Sequence, residues 1–392
     1  MIFSYLLQRL NELLNYNKAD PLYLVRLTTI ELAKIRILKI LLKLGLLYNL
    51  ALFLIQILYF SLNFNLQQFI QYFSLNVGAI HGYMAAWICL QFEKGALDLM
   101  DYQDAYYTKL DRIKASTYEK ISKSILTRRY VFLLNMVFLQ LLFFFFWPIF
   151  GYEDEYYFPV FFFNEYIKPI FGRYIVYALR ISFYFATYTY VSSAGIQVHF
   201  ILYFFSHMQF QLIIVEDNIR DMEKIDGRIQ QRFINDNLKA CIKHYMCIKK
   251  CMNQLVEWIF WAMVPTTVGS FVMLLSYVYF VFAQASLEAF PRVACLGGVS
   301  VCSVTLYAMS GQSLANQCER VNSALYCLPW YGFNKKNCNL LSLFMVTTSK
   351  PFRLSLLGFV DCDATLVLKV YKFVFSSLAT VQQIVALRKK DV

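Results

Sequence analysis

The stretch LGLLYNLALFLIQILYFSLNFNLQQFIQYFSLNVGAIHGYMAAWICLQF, Leu44–Phe92, contains no Asp, Glu, Lys or Arg. A helix crossing the ~30 Å hydrocarbon core of a bilayer needs about 20 apolar residues. The run therefore has room for two spans joined by a tight turn near Asn63 and Asn65. The whole chain reads the same way: of 392 residues, 59% are hydrophobic, 18% aromatic and only 16% charged. Soluble domains carry about 25% charged residues. With so little polar surface, lipid must be the solvent, and the class is an all-α integral membrane protein.

Further charge-poor runs place five more spans. Tyr130–Tyr152 holds the third, and Ile181–Val215, starting early enough to include Arg180, the fourth. Trp258–Leu287 and Val293–Cys318 give the fifth and sixth. Ala364–Leu387 gives the seventh, although Lys369 and Lys372 interrupt it. Basic residues crowd the segment before the first span and the connections Glu93–Arg129, Glu216–Glu257 and Glu319–Arg353. The other side has a charge-free turn, the acidic GYEDEYYF (Gly151–Phe158) and a short link at Glu288–Arg292. Positive charge stays in the cytoplasm. Seven transmembrane helices with a cytoplasmic N-terminus follow, and the net charge of +12 belongs to inner loops rather than to a nucleic-acid surface. The odd count puts the C-terminus outside, against the pull of Arg388, Lys389 and Lys390.

The opening MIFSYLLQRLNELL has no basic n-region or small-residue cleavage site, so it is not a signal peptide. Its apolar spacing predicts an amphipathic helix on the inner leaflet. No repeat or flexible linker divides the chain, which reads as one domain, 1–392. Residues 1–36 are a cytoplasmic segment, 37–318 the first six helices, 319–360 a cytoplasmic connection and 361–387 the last helix. In the fourth-to-fifth connection Ile225, Ile229, Phe233, Leu238, Ile242 and Tyr245 recur at helical spacing. Long cytoplasmic extensions of the fourth to sixth helices are expected to pack there.

Signs of catalysis are scarce. The four histidines, His81, His199, His207 and His244, form no metal-ligand spacing and read as structural hydrogen-bonding residues. No phosphate loop, nucleophile elbow or dinucleotide fingerprint occurs. The spans carry no carboxylates of the kind that relay protons in pumps. Neither an enzyme nor a cofactor, metal or nucleic-acid partner is expected. The ten cysteines include no CxxC pair and read as reduced, packed residues.

Aromatic side chains gather in the outer halves of several spans. They serve as lipid-facing belts or as walls of a cavity for a small apolar ligand. In the last helix Lys369, Lys372, Ser376, Thr380 and Gln383 fall on one stripe, opposite Val370, Phe373, Val374, Val381 and Ile384. Asp361 or Asp363 caps its start. Such a stripe either borders a water-filled route or hydrogen-bonds neighbouring helices; the residues alone allow both.

Two C-terminal stretches carry a resemblance. YAMSGQSLANQCERVNSALYCLPWYGF (Tyr307–Phe333) is similar to the insect odorant receptor pattern of a Gly-Gln pair followed by Trp-Tyr. LLSLFMVTTSKPFRLSLLGF (Leu340–Phe359) resembles that family's Lys-Pro element, and LKACIKHYMCIKK its His-containing cytoplasmic helix. The resemblance covers roughly the last 160 residues in detail. It implies an odorant-gated, nonselective cation channel in the plasma membrane, assembled as a hetero-tetramer of odorant-specific and co-receptor subunits. The shortness of the fourth-to-fifth connection marks this chain as a tuning subunit. A gustatory receptor channel, a G-protein-coupled receptor and a transporter are the alternatives.

By resemblance, a small volatile odorant, possibly aromatic, is held among the outer halves of helices two to six. The expected contacts are Phe69, Tyr72 and Phe73; Gln140, Phe144 and Trp147; Tyr177, Ile181 and Tyr184; and Tyr277 and Phe280. Ser376, Ala379, Thr380, Gln382, Gln383 and Leu387 would line the pore. His244, Gly311, Gln312, Trp330, Tyr331, Lys350 and Pro351 would organise cytoplasmic assembly.

Overall fold

The computed structural model describes residues 20, 22–31, 35–64, 66–145, 162–225, 230–282, 290–350, 352–353, 355–356, 360–361 and 363–388. Eight helices dominate them: α1 (Arg36–Leu62), α2 (Leu66–Tyr106), α3 (Ala115–Phe145), α4 (Arg173–Met222), α5 (Gln231–Phe282), α6 (Phe290–Tyr326), α7 (Lys335–Thr348) and α8 (Ala364–Arg388). Asn63 ends α1, and Asn65 lies outside the described residues; the predicted first six spans overlap α1 to α6, with 146–152 of the third and 283–287 of the fifth outside the described residues. The acidic Gly151–Phe158 and the amphipathic start lie outside the described residues. The predicted connection 319–360 contains the end of α6 and the whole of α7, and it runs into a two-residue antiparallel strand pair, Ser355–Leu356 with Val360–Asp361.

Helix length exceeds what a bilayer needs. At 1.5 Å per residue, α4 with 50 residues and α5 with 52 are each roughly 75 Å long. Both can cross a membrane and still extend far into water. Gly172, at φ +83°, separates α4 from the short helical segment before it. A left-handed backbone is nearly free for glycine and strained for other residues. α5 runs on through Pro265, whose ring removes the amide that would bond one turn back.

The core lies at the α7 end of the bundle, around the second half of α4. Phe204, Phe205, Met208, Phe210, Leu212 and Val215 are almost wholly buried. Leu99 and Met100 of α2, Ile121 and Ile125 of α3, Leu238 and Tyr245 of α5, Leu314 and Val321 of α6 and Phe344 of α7 close over them. The periodic residues of the fourth-to-fifth connection divide accordingly. Leu238 and Tyr245 are buried and Ile225 and Ile242 pack at the edge. Phe233 is 52% exposed, so its predicted packing does not occur: it faces away from the Ile234–Asn235 side that meets the bundle. Ile229 lies outside the described residues.

Two helical windows among the described residues are long and apolar enough by composition to cross a membrane, and they differ in surroundings. Lys39–Leu62 is only 28% buried, whereas Val198–Met222 is 83% buried. An apolar helix enclosed by protein is an ordinary core helix; one that shows most of its leucines outward needs an apolar solvent. α1 exposes Ile40, Leu44, Leu47, Leu54 and Leu58. It is held to α4 by polar contacts, with Tyr48 Oη 2.7 Å from Ser182 Oγ and Thr187 Oγ1 donating to Asn49 Oδ1 at 3.2 Å.

Polar clamps fix the rest. Asn337, fully buried, donates to the Gln231 carbonyl (2.9 Å) and to Gln231 Oε1 (2.8 Å). It also accepts from Asn235 Nδ2 (2.8 Å). Asn334 caps α7 by accepting from the Asn337 amide. On the N-terminal side Arg26 makes a bidentate pair with Asp104 of α2, at 3.0 and 2.8 Å. Asp20 accepts from Tyr203 of α4 at 2.9 Å and meets His207 Nε2 at 3.1 Å. Burial alone would raise the Asp20 carboxyl, but His207, Tyr203 and Arg26 hold it below its ordinary value.

Removing the Asn337 amide takes one partner from the Gln231 carbonyl and the acceptor from the buried Asn235 side chain. Asn337→Ala should destabilise the α5–α7 junction by about 2–3 kcal/mol, read as a lower melting temperature of the solubilised protein.

Candidate ligand site and last helix

The outer aromatic candidates divide between surfaces. Tyr184 is buried with Phe183 in a cluster that includes Leu52 of α1 and Phe163, and its hydroxyl accepts from Arg180 Nε at 3.5 Å. Tyr177 and Ile181 sit on the same helix but are 52% and 58% exposed. Gln140 of α3 is also exposed. Phe69, Tyr72 and Phe73 are positions on α2, Phe144 on α3, and Tyr277 and Phe280 on α5. Their side chains, and all of Trp147, lie outside the described residues. Within those described, Tyr184 belongs to the α1–α4 contact.

Two glycines mark close approaches between helices. A Cβ at Gly269 of α5 would overlap the His81 ring of α2, and one at Gly195 of α4 would overlap Leu139 of α3. Glycine is what allows these helix pairs to come so near. His199 Nε2 lies 3.0 Å from Asn135 Oδ1, with Phe132 edge-on to the imidazole at 4.8 Å between centroids. His207 and His244 have partners too. His81 Nδ1 is buried without a hydrogen-bond partner among the described residues, so the structural reading holds for three of the four histidines. Sequence reasoning passed over Gly195 and Gly269, and only helix register could have exposed them. Gly269→Ala should sharply lower the yield of folded protein, and adding His81→Ala should restore part of it, measured by fluorescence-detected size-exclusion chromatography.

The last helix is capped by Asp363, not Asp361, which lies in the second short strand. Asp363 Oδ1 accepts from the Thr365 hydroxyl (2.5 Å) and from the amides of Thr365 (2.9 Å) and Leu366 (3.1 Å). These bonds, the hydroxyl's first, keep its carboxyl below the ordinary range. α8 packs on α5 and α6, burying Leu366 and resting Val370 against the core. Lys369, Lys372, Ser376, Ala379, Thr380 and Gln383 are all exposed. Around the helix the stripe begins about 40° from the buried Leu366, at Thr380, and reaches about 140° from it at Ala379. Thr380 donates to the Ser376 carbonyl at 3.0 Å, a local bond within α8. The side chains of Gln382 and Leu387 lie outside the described residues. Phe373, expected on the apolar face, is also exposed, at 43%.

At the α7 end Gln211 of α4 is a hub. Its amide brackets Thr108, accepting from the backbone N–H and donating to the C=O, both at 2.9 Å. Since Oε1 is thereby the acceptor, His244 Nε2, 2.9 Å away, must donate. Burial lowers the His244 pKa, which favours the neutral form that this bond uses. Gly311 is buried, and Gln312 donates to Asn316 at 2.6 Å. Trp330 and Tyr331 form an exposed turn, at 60% and 80%. Lys350 is exposed; Pro351 lies outside the described residues. Trp330, Tyr326, Leu341, Met345 and Val346 line a groove of about 520 Å³.

Because the folded chain disfavours His244 protonation, acid protons bind the unfolded chain first. The stability that His244 contributes is complete above its ordinary pKa and is lost as pH falls through the lowered folded value. His244→Gln keeps a donor for Gln211 but does not titrate, so it should flatten the decline of melting temperature on acidification.

Long helices with a protein-like core at one end and outward apolar surface at the other mark a helical membrane protein. The sequence pattern described as 7tm Odorant receptor matches residues 65–375, and the chain belongs to the odorant receptor family. Two solved structures are similar. The insect olfactory receptor OR5 from Machilis hrabei aligns with a TM-score of 0.68 at 10% identity, covering 97% of this chain and 99% of that one. The same receptor in complex with eugenol gives 0.65 at 9% identity, covering 93% and 96%. At such identities the likeness is one of fold. No curated protein matches the chain by sequence.

Proposed function

We propose that the chain is the odorant-binding subunit of a ligand-gated, nonselective cation channel in the plasma membrane of olfactory neurons. α1 to α6 and α8 would span the membrane, with the N-terminus and α7 in the cytoplasm and the C-terminus outside. Family membership supports the receptor role. The channel reading rests on the outward placement of Ser376, Thr380 and Gln383 on α8. Polar groups on a membrane helix that its own subunit leaves uncovered suit a water-filled axis shared between subunits. The exposed Trp330–Tyr331 turn and the adjoining apolar groove, with Lys350 next in sequence to Ser349 of its lining, suit a packed contact between subunits; Gly311 and Gln312 would act elsewhere on α6. Only eight residues separate α4 and α5 (223–230), which fits a tuning subunit partnered by co-receptor subunits.

The ligand would be a small volatile among the outer halves of α2 to α6, against Phe69, Tyr72, Phe73, Gln140, Phe144, Trp147, Tyr177, Ile181, Tyr184, Tyr277 and Phe280. The related receptor's complex with eugenol, an aromatic, supports the lean towards an aromatic odorant. Binding opens the pore only through higher affinity for the open arrangement, with about 1–3 kcal/mol of coupling typical.

The decisive experiment is current recording across an odorant panel, with and without the co-receptor. Currents should need both subunits and odorant. Thr380→Ala and Gln383→Ala should change ion permeation and leave odorant rank order intact, whereas enlarging side chains at the pocket positions should do the reverse. A Gln383 variant that altered only rank order would remove α8 from the pore. An N-terminal tag stained on intact cells would instead indicate the orientation of a G-protein-coupled receptor.

A further inference from the structure

A second site lies between α3, α4 and α6, at the end of the bundle that holds the buried core. It is a cleft of about 590 Å³ whose walls carry Lys120 and Lys123 of α3, Arg220 of α4 and Arg320 of α6. Glu216 is its one carboxylate, and Ser124, Thr127, Gln209 and Gln317 add hydroxyls and amides. Most of its lining is therefore cationic or hydrogen-bonding, unlike an odorant cavity.

The cations are not equally engaged. Arg220 is turned along its own helix onto Glu216, with Nε at 2.9 Å and Nη2 at 2.8 Å from Oε1. Glu216 also accepts from Gln317 Nε2 at 2.6 Å, so its charge is spent on both walls. Lys120 pairs with Asp217 at 2.5 Å. Lys123 and Arg320 have no ion pair among the described residues, and both are exposed to the cleft's solvent. Two uncompensated cations on different helices, flanked by hydroxyl and amide groups, leave an electropositive recess rather than a neutral salt-bridge lattice.

Depth adds to the argument. Ser124 and Thr127 sit one to two turns before Tyr130, where the charge-free run of α3 begins. In the orientation proposed above, that is the level of the inner-leaflet headgroups, where basic pockets between helices take anionic lipids.

We propose that this cleft binds a ligand bearing two or more phosphate groups, with Lys123 and Arg320 as the principal contacts. Arg320 offers the planar fork that suits a phosphate and Lys123 a mobile point charge. A phosphoinositide headgroup and a soluble inositol phosphate share this chemistry.

The full chain in phosphatidylcholine nanodiscs, with and without phosphatidylinositol bisphosphate, is melted, and its binding of labelled inositol trisphosphate is measured in parallel. Wild type should be stabilised by the lipid or bind the soluble probe well above inorganic phosphate. Stabilisation by lipid alone assigns the site to membrane phosphoinositide, and binding of both probes assigns it to the headgroup. Lys123→Gln with Arg320→Gln should weaken binding about tenfold or more. The pair Lys335→Gln with Lys336→Gln on α7 should not. Thr127→Trp, which fills the cleft without changing charge, should act like the first pair and covers the case that it fails to fold. Binding no tighter than inorganic phosphate, or binding unchanged by both cleft variants, would overturn the proposal. Neither readout depends on channel current, so the site and the channel reading can fail separately.

Discussion

The apolar residues in the second half of α4 must be enclosed, and the rest of the chain is arranged to meet that demand. The strip of Gln209, Glu216 and Arg220 opens on the polar cleft, but Phe204, Phe205, Met208, Phe210 and Leu212 are almost wholly enclosed. Each such side chain contributes about 1.5–3 kcal/mol only when enclosed. α2, α3, α5 and α6 provide the enclosure, and α7 closes it through Phe344. The helices on the flanks can then be less self-sufficient. α1 is held by a few polar contacts to α4 and turns its leucines outward, which makes sense only in an apolar solvent.

The polar groups of the core end complement this. Gln211, Asn337, Asn235 and Gln231 are amides with donor and acceptor on one planar group. Each satisfies backbone or side-chain atoms from a distant part of the chain. Amides do this without a desolvated charge, which is the more expensive solution in a dry interior. Charge enters with partners, as in the Arg26–Asp104 pair, whose carboxylate is partly open, and in the buried Asp20 beside His207 and Tyr203.

Most of the helical plan was legible in the sequence because a missing charge over twenty residues is a strong local signal. The turn at Asn63 and the lengthened fourth, fifth and sixth helices were read from composition and spacing. α7 was hidden inside an expected connection. It is short, and its cap, Asn334, and its anchor, Asn337, are residues that read equally well as loop. The cap of α8 could be narrowed only to Asp361 or Asp363, since two residues of strand decide between them. Phe233 misled because periodicity identifies a face of a helix but not its limits. The aromatic site was the least legible. Rings that face lipid and rings that face a cavity have the same composition, and the burial of Tyr184 beside the exposure of Tyr177 and Ile181 shows how one helix serves different surroundings. The amide clamps join residues about a hundred positions apart and leave no local trace.

α5 is the element that touches most of what has been described: the Gln231 clamp and α7 at its start, His244 in its first half, α8 along its side and His81 at Gly269. Mechanically it is a beam with one notch. Pro265 lacks a rung of the hydrogen-bond ladder one turn before the place where α2 presses closest. The longer arm, roughly 50 Å by helical rise, is gripped by the core, while the arm beyond the notch is about half that length. A load on the short arm will bend the beam at the notch before it shifts the gripped end, against which Leu366 and Val370 of α8 rest.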